Sequence, residues 1–381
     1  MKTKRHILSS RLDGKYASVW VSVLTVVLTL ITSGIILLLM GKNPLTAFYS
    51  FLQGCGLAPK ANYGGGSGML SDLSDFLNYL APMLLASLAF IVGFKAGLFN
   101  IGIAGQMLLS GFAATVIVGY NRSIPAGLAK PLVAVIGIAV GGAAGALVGF
   151  LKYRFNIHEV VSTIMINYII SYLTGFFINN HFVDMLTRTS RICSPESRLT
   201  LTGVQIAGVN CKVPFGIVIA LIMAFAVQFI FERTSFGFEL KAVGRNIKCA
   251  KYIGIGVGKS LVLSMTFSGV LAGLAGVTYY LGYTNTIIPK TLVGMGYDSI
   301  SVALLGNASP VGSIFAAFIV SIFQQGANYM SSIAGVAKEI ASLITGILLL
   351  YASCGTYMKM KAHSVILRDA SREEQRKEEE T

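Results

Sequence analysis

The sequence predicts an all-α, polytopic membrane protein: a bundle of about ten spanning helices, some of them short or broken, with both termini on the cytoplasmic side. Three observations predict it. Apolar residues make up 54% of the 381 positions and charged residues only 12%, against about a quarter charged in soluble domains. Mean hydropathy is +0.71, and a water-soluble fold has no core large enough to hide that much apolar surface. Glycine occupies 42 positions, as suits helices that pack closely within lipid.

A spanning helix needs roughly 20 mostly apolar residues. Candidate stretches lie at 16–40, 80–94, 101–120, 131–151, 160–178, 213–231, 260–281, 297–306, 312–325 and 340–357. The second, eighth and ninth read as short or interrupted. The first apolar run is about 25 residues long, well beyond the core of a cleavable signal peptide, so it is expected to stay in the membrane. Gly137, Gly141, Gly145 and Gly149 recur every four residues in the fourth stretch, and Gly269, Gly273 and Gly276 repeat the idea in the seventh. Such faces let a neighbouring backbone approach, so packing is the expected role.

Lys and Arg set orientation. Placing both termini inside puts most of the 30 basic residues on the cytoplasmic side: Lys2, Lys4, Arg5, Arg11 and Lys15 in the N-terminal tail, Lys95, Lys152, Arg154, the 232–259 segment, and the C-terminal tail from Lys359. The net charge of +14 is then chiefly an insertion signal. No basic patch interleaved with aromatics suggests nucleic-acid binding. The permease domain is expected over 1–360 and a charged, solvated tail over 361–381. Outer loops are expected at 41–79, with a flexible glycine-rich tip at 64–68, and at 180–212. Ten spans divide five and five around the second loop, so any internal repeat would be inverted. Cys193 and Cys211 both fall in that loop, where a disulfide and two free thiols are both open readings. No cysteine or histidine spacing suggests a metal site.

Catalytic chemistry finds no foothold. His6, His158, His181 and His363 lie in separate segments, so no triad or metal site emerges. Gly256-Val257-Gly258-Lys259-Ser260 resembles the end of a phosphate-binding loop, but the required glycine five residues before Gly258 is Ile253. The chain is therefore expected to be no enzyme and to need no cofactor of its own. Ionisable groups inside spans mark function, and Asp298 is the one candidate, with helix capping as its structural alternative. Amides carry both a donor and an acceptor, which suits a neutral, hydroxyl-bearing or heterocyclic solute. Asn100, Gln106, Asn167, Tyr168, Asn307, Gln324, Gln325 and Asn328 fall in or at the ends of apolar runs, and of these Asn100, Gln106, Asn167 and Asn307 are singled out for the solute path. Asn100 and Gln106 flank a glycine-broken junction between two spans, where freed backbone groups face a cavity.

The 232–259 segment reads as two short helices, roughly 239–243 and 247–253, joined at Gly244-Arg245-Asn246, with Asn246 fit to cap the second. Lying between two spans, they form a rigid knob that another protein can grip.

Gly93-Phe94-Lys95-Ala96-Gly97-Leu98-Phe99-Asn100-Ile101-Gly102 with Gly105-Gln106, then His158-Glu159-Val160-Val161-Ser162-Thr163-Ile164-Met165-Ile166-Asn167-Tyr168, the 234–256 segment, and Gly296-Tyr297-Asp298 followed by Ser301-Val302-Ala303-Leu304-Leu305-Gly306 occur in that order. Together they resemble the membrane permease subunits of the ATP-binding-cassette importers for simple sugars and nucleosides, most closely the nucleoside type. The resemblance implies that 234–256 docks on a separate ATPase subunit through Gly237, Lys241, Gly244, Arg245 and Asn246. It further implies a second permease chain (a paralogue or a copy of this one), an extracellular solute-binding protein, and a multi-pass location in the cytoplasmic membrane. Ile103-Ala104 depart from the family, which usually carries an acidic residue before Gly105. A secondary transporter or channel for a small neutral solute is the rival class, and riboflavin or a simple sugar the rival solutes.

Overall fold

The computed structural model describes residues 17–61, 63, 68–206, 209–337, 339–355, 357, 360, 361 and 364. The basic N-terminal cluster, residues 64–67 of the loop tip and nearly all of the charged C-terminal tail lie outside the described residues.

The described chain is mainly helical. Seven helices are long and apolar enough to cross a membrane, and three shorter apolar ones accompany them. In chain order they are α1 (Ala17–Leu39), α2 (Pro44–Gly54), α3 (Met69–Lys95), α4 (Ile103–Ala114), α5 (Ala126–Phe155), α6 (Glu159–Phe177), α7 (Phe215–Arg233), α8 (Ser235–Arg245), α9 (Ile247–Tyr252), α10 (Val257–Thr278), α11 (Met295–Leu305), α12 (Pro310–Ala334) and α13 (Glu339–Ser353). Single π turns extend α4 (Thr115–Gly119), α6 (Ile178–Phe182) and α10 (Tyr279–Thr284).

The centre of the bundle is α3, packed against α7, α10, α11 and α12. Its second half, from Leu80 to Gly93, is continuously buried. It is not the short, interrupted span the hydropathy suggested, for it runs 27 residues through Pro82. Polar residues in its first three turns hid it, and the charged and amide ones have partners. Asp72 pairs with Lys60 at 2.7 Å and Asp75 with Lys212 at 2.9 Å. Asn78 Nδ2 donates to Ser74 O and Lys212 O, both at 3.0 Å. The ninth stretch is likewise one 25-residue helix, α12, uninterrupted by Gln324, Gln325 and Asn328. The eighth, α11, is short as expected.

The segment expected to loop over 41–79 contains a helix. Asn43 Oδ1 accepts from Leu45 N at 2.9 Å and Pro44 supplies a preset first residue. The resulting α2 lays Phe51 edge-on against Phe323, ring centroids 5.5 Å apart. Gly54 faces Gly326 so closely that a Cβ on Gly54 would lie 2.9 Å from Gly326 Cα. The 180–212 segment also departs from the expected loop. Strands β1 (Thr200–Ile206) and β2 (Val209–Pro214) pair antiparallel, with Ile206 opposite Val209 and Thr200 opposite Pro214. Alternating polar and apolar residues in 209–213 carry the strand signal. Cys193 and Cys211 are buried and unpaired. Burial pushes the Cys193 thiol up, and it donates only weakly to Thr115 Oγ1 at 3.8 Å.

The two glycine stripes meet each other. A Cβ on Gly141 would lie 2.6 Å from Gly273 Cα, and one on Gly145 2.9 Å from Gly269 Cα. Helices α5 and α10 therefore touch backbone to backbone, where dispersion between close-packed atoms holds them. Gly276 turns toward α4, its Cβ position 2.7 Å from Met107 Cα.

Candidate functional site

Three of the five amide and acid candidates gather where the chain breaks between α3 and α4. Helix α3 stops at Lys95, and Gly97 turns the backbone at φ +77°, a conformation open to glycine. A Cβ there would also press on Gly244 Cα at 3.2 Å. Beyond the turn, Asn100 is fully buried: its Oδ1 accepts from Gly102 N at 2.9 Å, while Nδ2 donates to Ser268 Oγ at 2.8 Å and Gln106 Oε1 at 3.2 Å. The Ser268 hydroxyl in turn donates to Ala89 O at 2.6 Å. From α6, Asn167 accepts from Gly105 N and donates to Ile101 O, both at 3.0 Å. Asn100 and Asn167 thus satisfy the peptide groups that the break frees. Gln106 Nε2 is buried without a partner among the described residues.

Asp298 stands apart from this group. It lies in the first turn of α11, not at its cap, which is Gly294. Its Oδ2 accepts from Gln324 Nε2 at 3.1 Å, and the same nitrogen reaches Thr345 Oγ1 at 3.1 Å. The Gln324 amide thereby links α11, α12 and α13. Nearby on α12, Gln325 accepts from the Tyr283 hydroxyl at 2.7 Å, and Tyr283 packs edge-on to Tyr79 with centroids 5.3 Å apart. Asn307 joins neither group. It is exposed in the turn between α11 and α12, in the left-handed region at φ 56°, beside a cavity of about 270 Å³ that Lys95 also lines.

The expected knob is present, with a longer first helix than its sequence suggested. Thr234 Oγ1 accepts from Gly237 N at 3.1 Å and starts α8 four residues earlier. Asn246 Oδ1 accepts from Lys248 N and Cys249 N at 3.0 and 3.2 Å, starting α9 as anticipated. The knob is seated on the bundle through its glycines. A Cβ on Gly237 would lie 2.7 Å from Phe231 Cα, and one on Gly244 2.9 Å from Gly97 N. Leu240 and Val243 are buried beneath it. Arg245, Asn246, Ile247, Lys248, Tyr252 and Ile253 are exposed, and Lys241 is half-buried. A cavity of about 530 Å³ opens beside it, lined by Lys152, Glu159, Gly244, Arg245 and Lys248.

Ser268 and Thr345 were not singled out in the sequence, since single hydroxyls in apolar runs carry no periodic signal and reveal themselves only by what they touch. Gln324 stands out there as an amide in an apolar run, but without its partners Asp298 and Thr345. The phosphate-loop decoy is settled by its context: Gly256 precedes the first residue of α10 and follows α9, not a strand.

The model of the family described as "Branched-chain amino acid transport system / permease component" matches residues 73–353. The nucleoside ABC transporter permease protein NupB of Lactococcus lactis subsp. cremoris (strain MG1363) is 31% identical over 347 residues, covering 89% of this chain and 92% of that one. The guanosine ABC transporter permease protein NupP of Bacillus subtilis (strain 168) is 34% identical over 334 residues, covering 87% and 92%. A second permease of that organism, NupQ, is 26% identical over 274 residues, covering 70% and 84%. No solved structure matches. With a match across most of both chains, apolar helices throughout and a seated knob between two of them, the chain belongs to the branched-chain amino acid transport system permease-component family.

Proposed function

We propose that this chain is the nucleoside-translocating permease of an ATP-driven importer in the cytoplasmic membrane. The observation that carries the reading is the end-to-end similarity to NupB and NupP, whose names specify a nucleoside and guanosine. In this reading α1, α3–α7 and α10–α13 are ten membrane passages and both termini are cytoplasmic, as the distribution of Lys and Arg favours. A partner ATPase binds and hydrolyses ATP and grips the α8–α9 knob around Gly237, Lys241, Gly244, Arg245 and Asn246. A second permease chain completes the membrane assembly. The similarity to both NupP and NupQ of one organism supports a paralogue in that place. An extracellular binding protein delivers the solute. The ATPase cycle then shifts the population between outward-open and inward-open forms.

Tagged chain is extracted from its own membranes in mild detergent, and its stoichiometric partners are identified by mass spectrometry. Recovery of an ATPase, lost on Arg245→Glu with the permease still folded, is the expected result. A chain that comes out alone in several detergents yet moves nucleoside without ATP would refute it.

A further inference from the structure

Among the described residues, the middles of α1 and α7 expose apolar side chains. Exposed positions on α1 are Val23, Val27, Ile31 and Ile35, and those on α7 are Val218, Ile222, Phe225 and Phe229. Helix α6 differs in part: beside apolar positions such as Met165, Ile169 and Phe176 it exposes Tyr168 and Tyr172, at 56% and 62%. They sit nine and thirteen residues after Glu159, which anchors the start of the helix through its 2.9 Å ion pair with Lys152. At 1.5 Å per residue they stand about 14 and 20 Å along the axis, near the middle of a hydrocarbon layer about 30 Å thick.

Tyrosine is favoured at membrane interfaces, where ring and hydroxyl meet lipid and water together. A hydroxyl turned into mid-bilayer lipid finds no partner, and among the described residues neither Tyr168 nor Tyr172 makes a hydrogen bond. Packing does not account for them either. The opposite side of α6, with Thr163, Asn167, Ser171 and Thr174, is the buried one.

The ends of α6 supply a second, independent observation. Glu159, its first residue, lines the cavity of about 530 Å³ shared with Lys152, Arg245 and Lys248. Val183, directly after its π turn, lines another of about 620 Å³ with Tyr120, Arg122, Asp184 and Arg191. One helix thus runs from a polar cavity to a polar cavity and shows hydroxyl-bearing rings between them.

We propose that the exposed face of α6 lines the solute path, with Tyr168 and Tyr172 as the rings on which the base of a nucleoside rests. The inference rests on the nucleoside reading above, and the second permease chain closes the far side of the path. The rings lie one helical turn apart on one face. Stacking on uncharged rings tolerates any base, and it is weak enough to release the solute, as transit requires. The hydroxyls serve the polar edge of the base or the ribose.

The test uses the whole importer in its own membranes. Tyr172→Cys and, as a lipid-facing control, Ile222→Cys are each treated with a membrane-impermeant cationic thiol reagent, with the unsubstituted chain as background. Tyr172→Cys is expected to react about tenfold faster than the control, and a mixture of adenosine, guanosine and uridine is expected to slow it severalfold. Reaction no faster than at Ile222→Cys would overturn the proposal. Fast reaction that no nucleoside slows, in membranes whose unsubstituted importer does take up nucleoside, would overturn the base-stacking role alone. Absence of nucleoside uptake by the unsubstituted importer would bring down the functional reading and the base assignment with it. As a second variant, Tyr168→Leu with Tyr172→Leu is expected to cut maximal uptake about tenfold with ATPase recovery unchanged, and the paired Phe substitutions to spare it. Equal uptake by the Leu and Phe pairs would also overturn the role.

Discussion

Replacing Gly141 with alanine tests whether the α5–α10 contact is the backbone seam that its glycine spacing implies. The added Cβ would stand 2.6 Å from Gly273 Cα and 2.8 Å from Gly273 N, and would collide with Gly269 O. Carbon atoms rest about 3.5–4.0 Å apart, so the helices must separate by about 1 Å along this stretch. Both neighbours are backbone, so no rotamer can relieve the contact. Overpacking of this kind costs about 1–3 kcal/mol, while the glycine-to-alanine change returns about 1 kcal/mol of helix propensity at most. The net expectation is a loss of about 1–2 kcal/mol, seen as a fall of about 1–3 °C in apparent melting temperature in detergent. Gly127 is the internal control. It lies in the same helix, with nothing within 4 Å of its Cβ position, so Gly127→Ala should leave stability unchanged or slightly raised. Equal melting temperatures for Gly141→Ala and Gly127→Ala would refute the seam.

Two further outcomes follow from the geometry of single side chains. Asp298→Asn keeps an oxygen for the Gln324 bond and is expected to leave uptake within about twofold, measured with labelled solute, because losing one charged hydrogen bond of this kind costs little when a neutral one replaces it. Abolished uptake with the chain still folded would instead favour an ion-coupled transporter. Cys193 and Cys211 are expected to resist maleimide in the folded chain while exposed Cys249 reacts, since both are buried, neither is paired, and burial holds the Cys193 thiol neutral. Labelling of Cys193 at the rate of Cys249 would contradict the packing of the 180–212 segment.

The bundle was legible in the sequence wherever an element was uniformly apolar or periodic, and obscure wherever polarity was satisfied at long range. The glycine repeat from Gly137 to Gly149 announced a close contact, and the structure supplied its partner. The first turns of α3 stayed hidden because Asp72, Asp75 and Asn78 find their partners at Lys60 and Lys212, the latter 137 positions from Asp75. Helix α2 was hidden by its brevity. The junction amides were found by their type and position beside Gly97 and Gly102, but which atoms they hold depends on Ser268 and Ala89, which no local pattern connects to them. Asn307 carried the same amide signal and is exposed in a turn, so residue type selected the group without ranking its members.

The junction also suggests how a push on the knob reaches the membrane interior. Gly244 of α8 rests against Lys95 and Gly97 at the end of α3. Beyond that turn, Ile101 O and Gly105 N are both held by the Asn167 side chain of α6, and Asn167 directly precedes Tyr168. A displacement of α8 therefore bears on the 96–105 backbone and, through one amide, on the helix whose exposed tyrosines face the proposed path. A shape-matched Asn167→Leu cuts that link and leaves Ile101 O and Gly105 N without their partner, at a cost of about 1–3 kcal/mol each if they stay dry. The expected phenotype is uncoupling: the assembled importer still binds its ATPase and hydrolyses ATP, while uptake per ATP falls about tenfold, roughly what 1.4 kcal/mol of lost coupling produces. The measurement is paired hydrolysis and uptake in reconstituted vesicles. Contiguity alone does not establish coupling, so the decisive comparison is with Ser268→Ala, which removes a bond on the α10 side of the same junction and should leave the ratio unchanged. If both substitutions lower uptake and hydrolysis in proportion, Asn167 is a structural clamp and the route from knob to path lies elsewhere.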